Sequence, residues 1–257
     1  MLNDIVMKSL VAGILASLAC GLGALPLLIP RIDPVKHTGI GYAFAGGLMF
    51  SASVYNLILP GLSLEGHSLP SSNVVPVLIG ILIGALFLSL VETVLSPQRF
   101  EQGGWGKWGS RTHVLIFLAM TIHSIPEGVA VGVGYASGEV HSTKLGSYIA
   151  LAIAIHNIPE GLAVSIPLRS SGASIAKCFR ASFLTSLPQP IAAVPACLLA
   201  WFFQPLMPYL MGFAAGAMIF LVVLELIPNA LDTETPRIIA WSFTLGFCLM
   251  ILIQVVL

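Results

Sequence analysis

Two segments hold the residues with chemistry to offer: His123-Ser-Ile-Pro-Glu127-Gly and His156-Asn-Ile-Pro-Glu160-Gly. They share the pattern His-x-Ile-Pro-Glu-Gly-x-Ala-Val, which recurs 33 positions on (123 to 156). In a helix, His and Glu at i and i+4 stand on one face. Two imidazoles and two carboxylates suit Zn²⁺, which takes His nitrogen and Glu oxygen in tetrahedral geometry. The two carboxylates would also neutralise a divalent ion. The same donors fit Fe²⁺, Mn²⁺ or Co²⁺, since donor identity alone does not separate these metals, and Cd²⁺ is a further candidate. The set is too rich in nitrogen for a Ca²⁺ or Mg²⁺ cage.

Pro126 and Pro159 lie inside the motifs. A proline within a helix removes one N–H and frees the carbonyl four residues earlier, here those of Ile122 and Ile155. In a membrane such irregular backbone is tolerated where it is buried in protein or lines a cavity. Gly128 and Gly161 follow and allow neighbouring helices to come close.

The elements that must position these residues are membrane helices. The 257-residue chain is 57% hydrophobic and 9% charged, against about 25% charged in soluble domains. Eight apolar stretches are long enough to span a bilayer: about 5–29, 38–60, 74–95, 112–136, 145–168, 174–203, 205–231 and 236–257. The chain is therefore read as an all-α polytopic membrane protein, a single transmembrane domain over residues 1–257 in the form of an eight-helix bundle. The apolar run after Lys8 is longer than a signal-peptide core and reads as the uncleaved first span. Of the 11 Lys and Arg, only Lys8 and Lys144 fall outside when the N-terminus is placed out, so the rule that basic loops face the cytosol gives an N-out, C-out topology. Residues 96–111 form a Gly-rich cytoplasmic loop. The net charge of zero argues against nucleic-acid binding. The scattered cysteines Cys20, Cys178, Cys197 and Cys248 offer neither a disulfide framework nor a thiolate metal site. His37, His67, His113 and His141 read as ordinary histidines of loops and helix ends.

Four acids fall within the spans, Glu92, Glu127, Glu160 and Glu225, and no Lys or Arg lies near mid-span to pair with them. A buried carboxylate needs a partner or takes a proton. A cation from outside the chain is the natural counter-charge. Because consecutive spans run in opposite directions, a motif repeated on the fourth and fifth implies a pseudo-two-fold axis in the membrane plane. Inverted repeats with a midplane site on broken helices are a transporter arrangement.

The paired motifs, the eight spans, Glu225-Leu-Ile-Pro and Pro188-Gln-Pro190 together resemble the ZIP (Zrt/Irt-like) metal transporters, the GufA-type branch in particular. The resemblance covers nearly the whole chain. It implies transport of Zn²⁺ or related ions into the cytosol, with His123, Glu127, His156 and Glu160 as the principal metal ligands. It places Ser124, Asn157 and Gln189 at positions that form a second metal site in some relatives. It places Glu92 and Glu225 on the cytoplasmic route. Here Ser124 stands where Asn is common and Gln189 where Glu is common, so one strong site is expected. The partners expected are divalent metal ions and the lipid bilayer, with a homodimer left open as the assembly. In a bacterial cell the host would be the plasma (inner) membrane. The rival readings are an intramembrane metal-dependent hydrolase and a metal-binding sensor or scaffold. The absence of His-Glu-x-x-His and of an evident free base beside the site weighs against the hydrolase.

Overall fold

The computed structural model describes residues 2–29, 38–63, 71–95, 111–140, 144–170 and 172–256. Every regular element among them is helical. Hydrocarbon offers the backbone no hydrogen-bond partners, so an apolar chain satisfies its own amides within helices. The elements are α1 (Leu2–Leu22), α2 (Thr38–Ala52), α3 (Ser71–Leu95), α4 (Arg111–Val140), α5 (Leu145–Ser170), α6 (Ile175–Thr185), α7 (Pro188–Phe202), α8 (Met207–Leu221) and α9 (Pro236–Val256). Seven stretches of the described residues are long and apolar enough to cross a membrane. The remaining long helix, α4, carries the first motif and is almost wholly buried from His123 to Gly138. The protein is thus an all-α polytopic membrane protein. The loop at 96–110 and His37, His67 and His141 lie outside the described residues, and His113 falls in the first turn of α4.

Local breaks follow the sequence. The stretch 174–203 is not one continuous helix: α6 ends at Thr185 and α7 begins at Pro188. Proline lacks the N–H that would continue the ladder, yet suits the first turn of a helix. At this break the Ser186 carbonyl accepts the Gln189 N–H at 3.0 Å and a 2.7 Å hydrogen bond from Ser17 Oγ of α1. Two helices widen into π segments, α2 at Ser53–Ile58 and α8 at Val222–Leu226. Such segments are uncommon and concentrate at functional sites.

The bundle packs in matched pairs: α1 with α5 and α4 with α7, α2 with α9 and α3 with α8. The matches extend to single residues. A methyl group on Gly246 would strike the Phe44 carbonyl oxygen, and one on Gly84 would strike that of Phe213. Gly47 likewise abuts Phe243, and Gly216 abuts Ile81. Between spans two and seven the offset is 169 positions (44 to 213, 47 to 216), and the π segments begin at the same offset (53 to 222). Gly128 abuts the Gln189 carbonyl and Gly161 that of Cys20, which repeats the 169 offset (20 to 189) between spans one and six. The first three spans and the last three are therefore one structural unit used twice, around the α4–α5 pair.

Candidate metal centre

Glu127 and Glu160 each follow a proline, Pro126 and Pro159, in the middle of the continuous helices α4 and α5, and His156 sits one turn before Glu160. One ligand atom from each of these three residues lies within 4.8 Å of the others. All three are buried, His156 at 0%, Glu127 at 1% and Glu160 at 4% exposure. His156 Nε2 is 3.2 Å from Glu127 Oε1, and Glu160 Oε1 has no hydrogen-bond partner. Two carboxylates held this close without a basic side chain repel each other unless a cation or a proton joins them.

His123, the fourth expected ligand, is buried but stands apart from this group. Its Nε2 lies 3.5 Å from Glu225 Oε1 on the π segment after α8. It thus pairs with Glu225, which is partly exposed. Glu92 is exposed near the end of α3, within electrostatic reach of Glu225.

Asn157 and Gln189 join the centre rather than a separate one. The Gln189 side-chain amide donates to Glu127 Oε2. Asn157 Nδ2 donates to Gln189 Oε1 at 3.1 Å and to the Ala16 carbonyl at 2.9 Å. Ser124 is not part of this network: its hydroxyl bonds back to the Met120 carbonyl of its own helix at 3.1 Å. The positions expected of a second site therefore supply one amide that holds Glu127, one that holds that amide, and one hydroxyl turned to its own backbone. A buried amide that the motifs miss, Asn56, lies on the π segment of α2.

Residues 108–254 match the family model described as ZIP Zinc transporter. The zinc transporter GufA of Myxococcus xanthus is 35% identical over 93% of this chain and 96% of its own length. A putative zinc transporter of Arabidopsis thaliana is 40% identical over 90% of this chain, which spans 36% of that longer protein. Zinc transporter ZIP11 of Xenopus tropicalis is 40% identical over 63% of this chain and 49% of its own length. The chain belongs to the ZIP family of zinc transporters.

Proposed function

We propose that the protein carries divalent metal ions, zinc first among them, across a membrane into the cytosol through the Glu127/His156/Glu160 centre. The observation that carries this reading is the buried pair of carboxylates with an imidazole beside them and no Lys or Arg partner among the described residues. Membership of the ZIP family supports zinc as the cargo. The incoming ion sheds water as Glu127, His156 and Glu160 close on it. It leaves by way of His123 and Glu225, with Glu92 nearer the cytosol. Gln189 holds one Glu127 oxygen in place and leaves the other toward His156. When the ion departs, a proton taken up by the carboxylate pair relieves their repulsion. Fe²⁺, Mn²⁺, Co²⁺ and Cd²⁺ fit the same donors as alternative cargo. The host is the plasma (inner) membrane if the cell is bacterial.

The pairing of helices suggests how access alternates. The α1/α5 and α4/α7 pairs hold every ligand of the centre, whereas α2/α9 and α3/α8 form a second body. Their shared surface includes small residues such as Ala130, Ala214 and Ala217, all at 0% exposure. A surface with few protruding side chains lets one body move past the other.

The test is radiolabelled zinc uptake into proteoliposomes, where the protein should give saturable uptake above empty vesicles. Absence of uptake by folded protein would remove the transport reading. Titration of purified protein should find one tight zinc site, because neither Asn157 nor Gln189 brings charge. In Gln189→Glu a third carboxylate stands beside Glu127, and calorimetry should then count a second zinc. Two tight sites in the unmodified protein would refute this account of the neutral positions.

A further inference from the structure

Asn56 is 2% exposed, and neither its Oδ1 nor its Nδ2 has a hydrogen-bond partner. A buried polar group is normally bonded, and leaving it unpaired is costly. An amide that merely tied two helices together would show its partner. Asn56 instead lines two small cavities. The first includes Ala130, Ile153 and Met218. Ala130 lies one turn beyond Glu127 on α4 and Ile153 one turn before His156 on α5, so the walls of this cavity lie one helical turn to the outer side of the centre. The second includes Tyr148, Met250 and Gln254, toward the first turns of α5 and the last turns of α9. Gln254 Oε1 is also buried without a partner. Each cavity leaves about 10 Å³ for the centre of a water-sized sphere, roughly the room for one water. Both cavities are walled mainly by apolar side chains and share Asn56, and they lie on the side where the Lys and Arg distribution places the exterior.

The internal repeat gives that line a counterpart. Asn56 and Glu225 stand at the same 169 offset (56 to 225) as the helix contacts around them, each within a π segment. The flanking sequences agree: Asn56-Leu-Ile-Leu-Pro60 against Glu225-Leu-Ile-Pro228. Glu225 faces His123. Asn56 borders the cavity lined by Ala130 and Ile153, each one helical turn from a residue of the centre.

We infer that Asn56 is the outer-side transit ligand for the metal, the counterpart of Glu225 on the inner side. This rests on the transport reading above. Its amide oxygen replaces one water of the incoming divalent cation and hands the ion to His156 and Glu127. A neutral oxygen holds the ion weakly enough to release it inward, as conduction through successive sites requires. Cavities that admit single waters do not admit a hydrated ion, so the outer path is closed in the arrangement described. It opens where α2 parts from α5, with Asn56 at the seam.

The experiment uses the full chain in proteoliposomes, with zinc as the probe. In Asn56→Leu the initial uptake rate should fall at least about tenfold, while zinc affinity of the purified protein stays within about twofold of the unmodified protein, since the centre itself is intact. Asn56→Asp, which restores an oxygen ligand, should keep uptake within roughly threefold. Unchanged uptake by Asn56→Leu would overturn the assignment. So would parallel loss of zinc binding and uptake in both variants, which marks a structural role. Failure of the unmodified protein to transport would instead overturn the transport reading. In that case Asn56→Cys decides the transit site alone: zinc should slow its labelling by a membrane-impermeant thiol reagent added outside, and labelling indifferent to zinc would exclude it.

Discussion

Replacing Glu127 and Glu160 together by Ala should lower zinc uptake into proteoliposomes at least about 100-fold. Each carboxylate is buried, and an ion held between them would depend on their charge for compensation. Removing one partner from a buried charge pair costs about 3–5 kcal/mol, and about 3 kcal/mol already corresponds to more than ~100-fold in affinity. The double Gln variant keeps the side-chain volume and should fail equally, which separates lost charge from a packing defect. Thermal unfolding supplies an independent readout with a distinctive sign. In the metal-free protein two neighbouring carboxylates oppose folding, so the double Gln variant should be at least as stable as the unmodified chain. Zinc should raise Tm of the unmodified protein through binding to the folded state alone, and should leave the variant unmoved. Normal uptake by either double variant would sink the centre as the route of transport.

The grouping of Glu127, His156 and Glu160, three of the four expected ligands, was legible because its chemistry is local. His and Glu at i and i+4 are fixed to one face by helix geometry, whatever the helix packs against. The doubled motif then makes the two faces partners. Relations between distant spans are far less legible. His123 meets Glu225, and Gln189 meets Glu127, through the packing of α4 on the seventh and sixth spans. No periodicity within one helix encodes such a contact. The break at Ser186 and Leu187 lies in an apolar run that hydropathy reads as continuous, and only Pro188 hints at it. The repeat of spans one to three in spans six to eight leaves little identity behind. Packing in lipid requires small residues where backbones cross and tolerates almost any apolar residue elsewhere. Gly47 and Gly216 survive with Leu57-Ile58 and Leu226-Ile227, while Asn56 and Glu225 differ in charge. For that reason Asn56 escapes any reading built on ionisable residues.

Gly161→Val should be the most disruptive single substitution near the centre that touches no metal ligand. The space a side chain would need at Gly161 is filled by the Cys20 carbonyl of α1. The reciprocal contact is equally close: a methyl on Gly23, just past α1, would strike the Ile158 carbonyl and the Leu162 amide of α5. Both obstacles are backbone, which cannot rotate aside as a flexible side chain does. Overpacking costs about 1–3 kcal/mol when neighbours can adjust, so a rigid helix crossing should stand at or above the top of that range. Such a cost should lower Tm in detergent by roughly 5 °C or more. The damage should reach function as well, because Glu160 is the preceding residue and Asn157 hydrogen-bonds to the Ala16 carbonyl across the same crossing. Displacing α1 releases Asn157, then Gln189, then the Glu127 oxygen that Gln189 holds. Zinc affinity should therefore drop with stability, although every proposed metal ligand is present. Gly128→Val, which meets the Gln189 carbonyl at the equivalent crossing of α4 and α7, should behave the same way. Gly41→Val is the control, since a side chain there meets nothing within 4 Å. If Gly161→Val unfolds and binds zinc as Gly41→Val does, the α1–α5 crossing is not what holds the centre in shape.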